Sequence, residues 1–95
     1  MQHKEFDWDK EKYNENFRKH RISFEEATTS FDDVHALILY DELHSDDEDR
    51  FILIGFSDIE RMLFVSHCYR DGDVIRIISA RQATRAEHRE YHAQF

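Results

Sequence analysis

Apolar positions along the chain change period twice, and the changes mark out its elements. Over residues 10–20, Tyr13 and Phe17 stand four apart on one helical face, and Asp7 or Asp9 is placed to cap that helix. Lys12, Asn16 and Lys19 (i, i+4, i+7) share another face. Ser23-Phe24-Glu25-Glu26 reads as a capping box that opens a short helix ending near Phe31, with Phe24, Ala27 and Phe31 as its buried stripe. From Val34 onward the apolar residues fall into short runs typical of strands: 36–40, 51–56, 62–69 and the β-branched run 74–80. Arg70-Asp71-Gly72-Asp73 contains Asp-Gly, a hairpin signal joining the last two runs. Thr84-Arg85-Ala86-Glu87 is a second capping box, so a closing helix starts at about Arg85. Phe6-Asp7-Trp8 reads either as a short edge strand or as a hydrophobic lead-in.

Two N-terminal helices, an antiparallel β-meander of three to four strands and a C-terminal helix make an α+β fold, with the helices packed on the sheet. Parallel pairing needs crossover connections, and the short links between these strands leave no room for them. There are no prolines, two glycines, and no linker or repeat, so residues 1–95 read as one domain.

Composition narrows the class. Hydrophobic residues are 40% and aromatics 14%, which suits a packed core rather than disorder. Cys68 is the single cysteine and cannot form an internal disulfide, which fits a reducing cytoplasm. No apolar run approaches a membrane span and no signal-peptide pattern follows Met1, so a cytoplasmic location and no membrane contact are expected.

Charge changes the picture more. Residues 1–50 carry 7 Lys/Arg and 15 Asp/Glu; residues 51–95 carry 6 of each, within a net charge of −8. Such a protein is poorly suited to nonspecific nucleic-acid binding, because phosphate contacts dominate that affinity. RNA or DNA contact would need a local basic patch, and the acidic half could face a basic protein partner. The stretch 74–91 offers a patch. It carries Arg76, Arg81, Arg85 and Arg89 against two acids, Glu87 and Glu90, across a strand-to-helix corner. That corner suggests an anion site; the alternative is a set of solvated surface arginines.

Three motifs carry a resemblance. The first is Phe6-Asp7-Trp8-Asp9, Lys12, Asn16, Lys19-His20 and Ser23-Phe24-Glu25-Glu26-Ala27. The second is His44-Ser45 followed by Glu48 and Arg50. The third is Arg76-Ile77-Ile78-Ser79-Ala80-Arg81 with Ala83-Thr84, Glu87 and Tyr91. In this order, over nearly the whole chain, they resemble BrnT-type toxins. Arg21 stands where that family usually has Gly, and Val34 where it often has Pro. The resemblance implies a RelE-like fold, ribonuclease activity that halts translation, and neutralisation by a cognate DNA-binding antitoxin. A ribbon-helix-helix type is expected for that antitoxin, with DNA met only through it and no cofactor required.

Metal-independent RNA cleavage needs a base for the 2′-hydroxyl proton, cations for the charge on the phosphorane, and an acid for the leaving oxygen. Arg76 and Arg81 suit the second task, since a guanidinium fork matches phosphate oxygens two at a time. Glu48 is the candidate base. Arg50, two residues on, would point to the same side and hold phosphate or the Glu48 carboxylate; an ordinary surface pair is the alternative. Lys12, Asn16, Lys19, His20, Ser79 and Arg85 are the candidate RNA-backbone contacts. His20 could act as the acid or bind phosphate, and is placed equally well to cap its helix; the lysine stripe could equally be a solvated face.

Other residues leave separate possibilities. His88 and His92 (i, i+4) could pinch a metal and make the chain a metal-dependent hydrolase, but no third ligand is in sight. Cys68 reads as a small buried hydrophobe, with His67 on the opposite side of the sheet. The acidic run 41–49 is a solvated loop, or a dock for a basic partner, or a plug for the site. A non-catalytic module that only binds an antitoxin is the alternative to a nuclease.

Overall fold

The computed structural model describes residues 4–95, and those residues form five strands and three helices. In chain order they are β1 (Phe6–Trp8), α1 (Lys10–His20), α2 (Phe24–Thr29), β2 (Leu37–Tyr40), β3 (Phe51–Phe56), β4 (Met62–Arg70), β5 (Val74–Gln82) and α3 (Arg85–His92). None of these helices is long and apolar enough to cross a membrane.

Each helix starts at a side-chain cap, which satisfies a backbone N–H that would otherwise lack a partner. Asp9 accepts from the Lys12 N–H at 3.0 Å, and Ser23 Oγ from the Glu26 N–H at 3.0 Å. Thr84 and Glu87 close a full capping box, at 3.2 and 2.8 Å. At Ser23 only half the expected box forms. The Glu26 carboxylate turns away to Arg61 and to the Ser57 hydroxyl, and so ties α2 to the β3–β4 turn. The β4–β5 hairpin turns through Gly72 and Asp73, both at φ 69°, where glycine carries no Cβ penalty.

The strands run in the order β1-β5-β4-β3-β2. β2 to β5 form the antiparallel meander expected from the sequence. β1 departs from it: it is an edge strand lying parallel to β5, with Asp7 beside Arg76. The crossover rule is still met, because the connection from β1 to β5 spans the two helices and three other strands.

The two sheet faces differ in cover. α1 and α2 pack on one face, over Leu53, Leu63, Val65, Ile77 and Ala80, with Ile22, Phe24 and Ala27 from the helical side. Burying the Leu, Val, Ile and Phe side chains among these stabilises by about 1.5–3 kcal/mol each. On the other face α3 covers one corner, where Tyr91 packs with Ile54, Met62 and Phe56. Among the described residues the rest of that face carries no further α-helix and is open apart from the 41–50 loop, whose Glu48 reaches Cys68 at 3.6 Å.

Asp33 latches α3 down. It accepts from the Tyr91 hydroxyl (2.7 Å), the Phe56 N–H (2.9 Å) and the His35 N–H (2.9 Å). Burial pushes the Asp33 carboxyl up, but these donors outweigh it and hold it below the usual carboxylate range. Burial and the Asp33 acceptor push the Tyr91 hydroxyl up to about 12.

Candidate functional site

Side chains alternate along a strand, so Arg76 and Arg81, five positions apart, should face opposite ways. They do not. Between Ser66 and His67 the register with β5 shifts by one: Ser66 pairs with Ser79, His67 with Ile77, and Ile78 has no partner. This bulge restores the parity. Arg76 lies opposite Cys68 and Arg81 opposite Phe64, two β4 residues four apart and hence on one face. Both arginines therefore stand on the open face. The buried Ile77 and Ala80 go to the helix-covered face, as does His67 against Phe31.

Three cavities run across this region and share residues. A groove of about 260 Å³ between α1 and β5 is lined by Lys12, Asn16, Lys19, His20, Ile78 and Ser79. Ile78 and Ser79, the bulge itself, also line a cleft of about 400 Å³ with Arg50, Phe64, Ser66 and Arg81. Leu43, His44 and Arg50 connect that cleft to a recess of about 180 Å³ that holds Glu48. Eight of the ten residues singled out from the sequence thus line one continuous band. Arg76 stands on the same face outside these cavities. Arg85 is exposed in the first turn of α3 and lines none of them.

The band is mixed in charge: Glu15, Asp46, Asp47 and Glu48 line it alongside the cations, and three arginines on this face are held by carboxylates. Arg81 is forked onto Glu87 at 2.9 and 3.0 Å and lies 3.9 Å from the Phe64 ring centre. Burial pushes the Glu87 carboxyl up, yet the Arg81 hydrogen bond and the Thr84 N–H outweigh it and bring it below the usual range. Arg76 meets Asp7 at 3.4 Å, and Arg70 meets Glu48 at 3.6 Å. Both pairs are partly exposed, so each is worth under about 1 kcal/mol. Glu48 therefore pairs with Arg70 rather than with Arg50. Arg50 makes no ion pair within 4.0 Å among the described residues, and its Nε is buried with no hydrogen-bond partner there. The Cys68 thiol is pushed up by burial and by the neighbouring Glu48 carboxylate, which fits a packing role.

Asn16 corrects the reading of the α1 stripe. It is buried, and its amide donates to Ala80 O (2.9 Å) and Ile22 O (3.2 Å) and accepts from Ala80 N–H (3.1 Å). Its amide imitates a strand edge and continues the β5 ladder where β1 ends, so its groups are spent inside the protein. Lys12 and Lys19, on either side, are exposed.

Two residues of the band were missed as site candidates. Ser66 gives no local signal. His44 does, since Asp41 stands three positions before it, and the structure joins His44 Nδ1 to Asp41 Oδ2 at 2.9 Å. The His88 and His92 rings stack with centres 6.4 Å apart. Among the described residues no group of three His, Cys, Asp or Glu side chains is placed to hold a metal ion.

A mixed sheet with α1 and α2 on one face, and with α3 beside arginines, serines and a carboxylate on the other, defines an α+β scaffold. A family model described as "Ribonuclease toxin, BrnT, of type II toxin-antitoxin system" matches residues 8–87, and the chain belongs to that family. The fold is shared with the 1.1 Å crystal structure of the Brucella abortus ribonuclease toxin BrnT, at a TM-score of 0.66 and 20% identity, over 87% of this chain and 100% of that one. Among the curated proteins compared, none matches. A toxin of a type II system implies an antitoxin partner.

Proposed function

We propose that this chain is a metal-independent endoribonuclease that binds RNA along the band, halts translation by cutting it, and is held inactive by a ribbon-helix-helix antitoxin. DNA is met only through that antitoxin. The observation that carries the reading is the bulge at Ile78, since it sets Arg76 and Arg81 on one face with Arg50 at its margin. Without it, one of the two β5 arginines would point into the helix-covered core.

In this reading Glu48 takes the 2′-hydroxyl proton as the 2′-oxygen attacks phosphorus. Arg50, Arg76 and Arg81 take up the charge that develops on the phosphoryl oxygens. The P–O5′ bond breaks, and the leaving oxygen takes a proton from His44, which Asp41 holds by its other ring nitrogen. The products are a 2′,3′-cyclic phosphate and a 5′-hydroxyl. Lys12, Lys19, His20 and Ser79 follow the backbone along the α1 groove, Arg85 meets it at the rim, and Asn16 serves by holding Ala80 in place.

The test is RNA cleavage in EDTA by the wild type and by Arg76→Ala/Arg81→Ala. Cleavage by the first and a loss of at least about 10²-fold in the second is expected. No cleavage by the wild type, with or without ribosomes, overturns the reading. It would favour the second one, a non-catalytic antitoxin-binding module. One observation favours that alternative: Arg70, Arg76 and Arg81 already have carboxylate partners.

A further inference from the structure

β2 ends the sheet, and among the described residues nothing pairs with its outer side. The ladder with β3 fixes which backbone groups are free. Asp41 N–H bonds to Arg50 O, so Asp41, Leu39 and Leu37 turn their backbone inward, and Ile38 and Tyr40 turn theirs outward. Natural edge strands are guarded by lysine, proline or a bulge. Leu37-Ile38-Leu39-Tyr40 has none of these, although Ile38 is 52% and Tyr40 50% exposed. Just past the strand, Leu43 is 84% exposed. Beneath the same edge lies a cavity of about 540 Å³, with apolar walls from Phe31, Ala36, Ile38, Leu53, Tyr69 and Ile75 and charged ones from Lys4, Asp33 and Asp73. Residues 41–49, which continue from the strand, hold six carboxylates and no Lys or Arg.

We propose that the antitoxin docks here, by adding an extended strand bearing lysine or arginine to the free edge of β2. The proposal rests on the toxin reading above and names the partner's segment. The backbone of Ile38 and Tyr40 supplies the hydrogen bonds, and the cavity takes apolar side chains that alternate along the added strand. The carboxylates of 41–49 select a basic chain and disfavour a second copy of this one, whose net charge is −8. Docking also reaches the active face: Leu43 and His44, which follow β2 directly, line the cleft that holds Arg50 and Arg81. A strand zipped to β2 fixes that loop and occludes one side of the cleft, which is a route to neutralisation.

The experiment is amide hydrogen exchange on the 15N-labelled chain, alone and with the antitoxin co-expressed from the same toxin–antitoxin pair. Ile38 and Tyr40 amides should exchange freely in the isolated chain and slow by at least about tenfold in the complex. Leu37 and Leu39 should be protected in both. Asp46→Lys/Asp47→Lys, on the exposed loop, should weaken antitoxin binding by about tenfold and flatten its salt dependence, with the melting temperature held. Ile38→Pro should weaken it too, by removing one outward N–H. A complex with unchanged exchange at Ile38 and Tyr40, or no complex, overturns the proposal. So does protection that rises with chain concentration in the absence of antitoxin, which would give the edge to a second copy. RNA cleavage by the isolated chain is scored separately: its absence would remove the nuclease reading and leave this docking site standing.

Discussion

The two faces of the sheet use polar groups in opposite ways. On the helix-covered face they are few, buried and committed: Asn16 is fully engaged with the backbone of Ala80 and Ile22. His67 sits in the core, where burial pulls its imidazole below the usual range. On the open face the charged groups are many: three arginines are held by carboxylates that a ligand could replace, and Arg50 makes no ion pair among the described residues. Arg81 has Glu87, Arg76 has Asp7 and Arg70 has Glu48. Removing a polar group from the first face should cost stability, because what remains buried goes unpaired. Removing one from the second should cost activity, because exposed ion pairs contribute little to folding.

The sharpest break of this comparison is on the open face. Arg81→Ala alone should lower RNA cleavage by about 10²–10³-fold while moving stability by no more than about 1–2 kcal/mol. Equal losses of both would erase the distinction. On the covered face Asn16→Ala should destabilise by about 2–4 kcal/mol in denaturant unfolding, since it strands the N–H and C=O of Ala80. A stable Asn16→Ala protein with weakened RNA binding would return Asn16 to the RNA track.

The α3 latch is next in size. Tyr91→Phe should cost about 1.5–3 kcal/mol, the worth of one hydrogen bond to a charged acceptor. It also carries a pH signature. The folded pKa of Tyr91 lies near 12, above its unfolded value, so its contribution is present below about pH 10 and fades as pH rises toward 12. Thermal melts across that window should fall in the wild type and fall less in Tyr91→Phe. Asp33, Glu26 and Glu87 run the other way. Their folded values lie below the usual range, so their contributions are present above about pH 4 and are lost as pH falls further. The smallest effect is expected at Arg21, the helix-ending residue at φ 59°. Arg21→Gly should relieve left-handed strain and raise stability by about 0.5 kcal/mol, after the loss of its contact with the Phe17 ring.

Local order was readable in the chain wherever one residue type settles it. The caps at Asp9, Ser23 and Thr84, the run 51–56 and the Asp-Gly turn all stand where their patterns put them. Arg21 is legible too, once its place after the last turn of α1 is known. What escaped reading depends on distant partners. Nothing in Phe6-Asp7-Trp8 says that it pairs in parallel with a strand some seventy residues later. A polar stripe does not reveal that its middle member, Asn16, turns inward to finish another strand's ladder. The bulge is the most consequential omission. Ile78-Ser79 carries no glycine to announce it, and strict alternation would have separated Arg76 from Arg81.

The common phosphate surface is tested most directly by titrating the 15N-labelled chain with a short RNA whose 2′-hydroxyls are methylated, so that it binds without being cut. The expected result is amide shifts confined to the band: Lys12 and Lys19, Ile78 and Ser79, Arg81, Ser66, and the Arg50 strand end. Shifts on the helix-covered side around α2, or none at concentrations where the wild type cuts the unmethylated RNA, would contradict it.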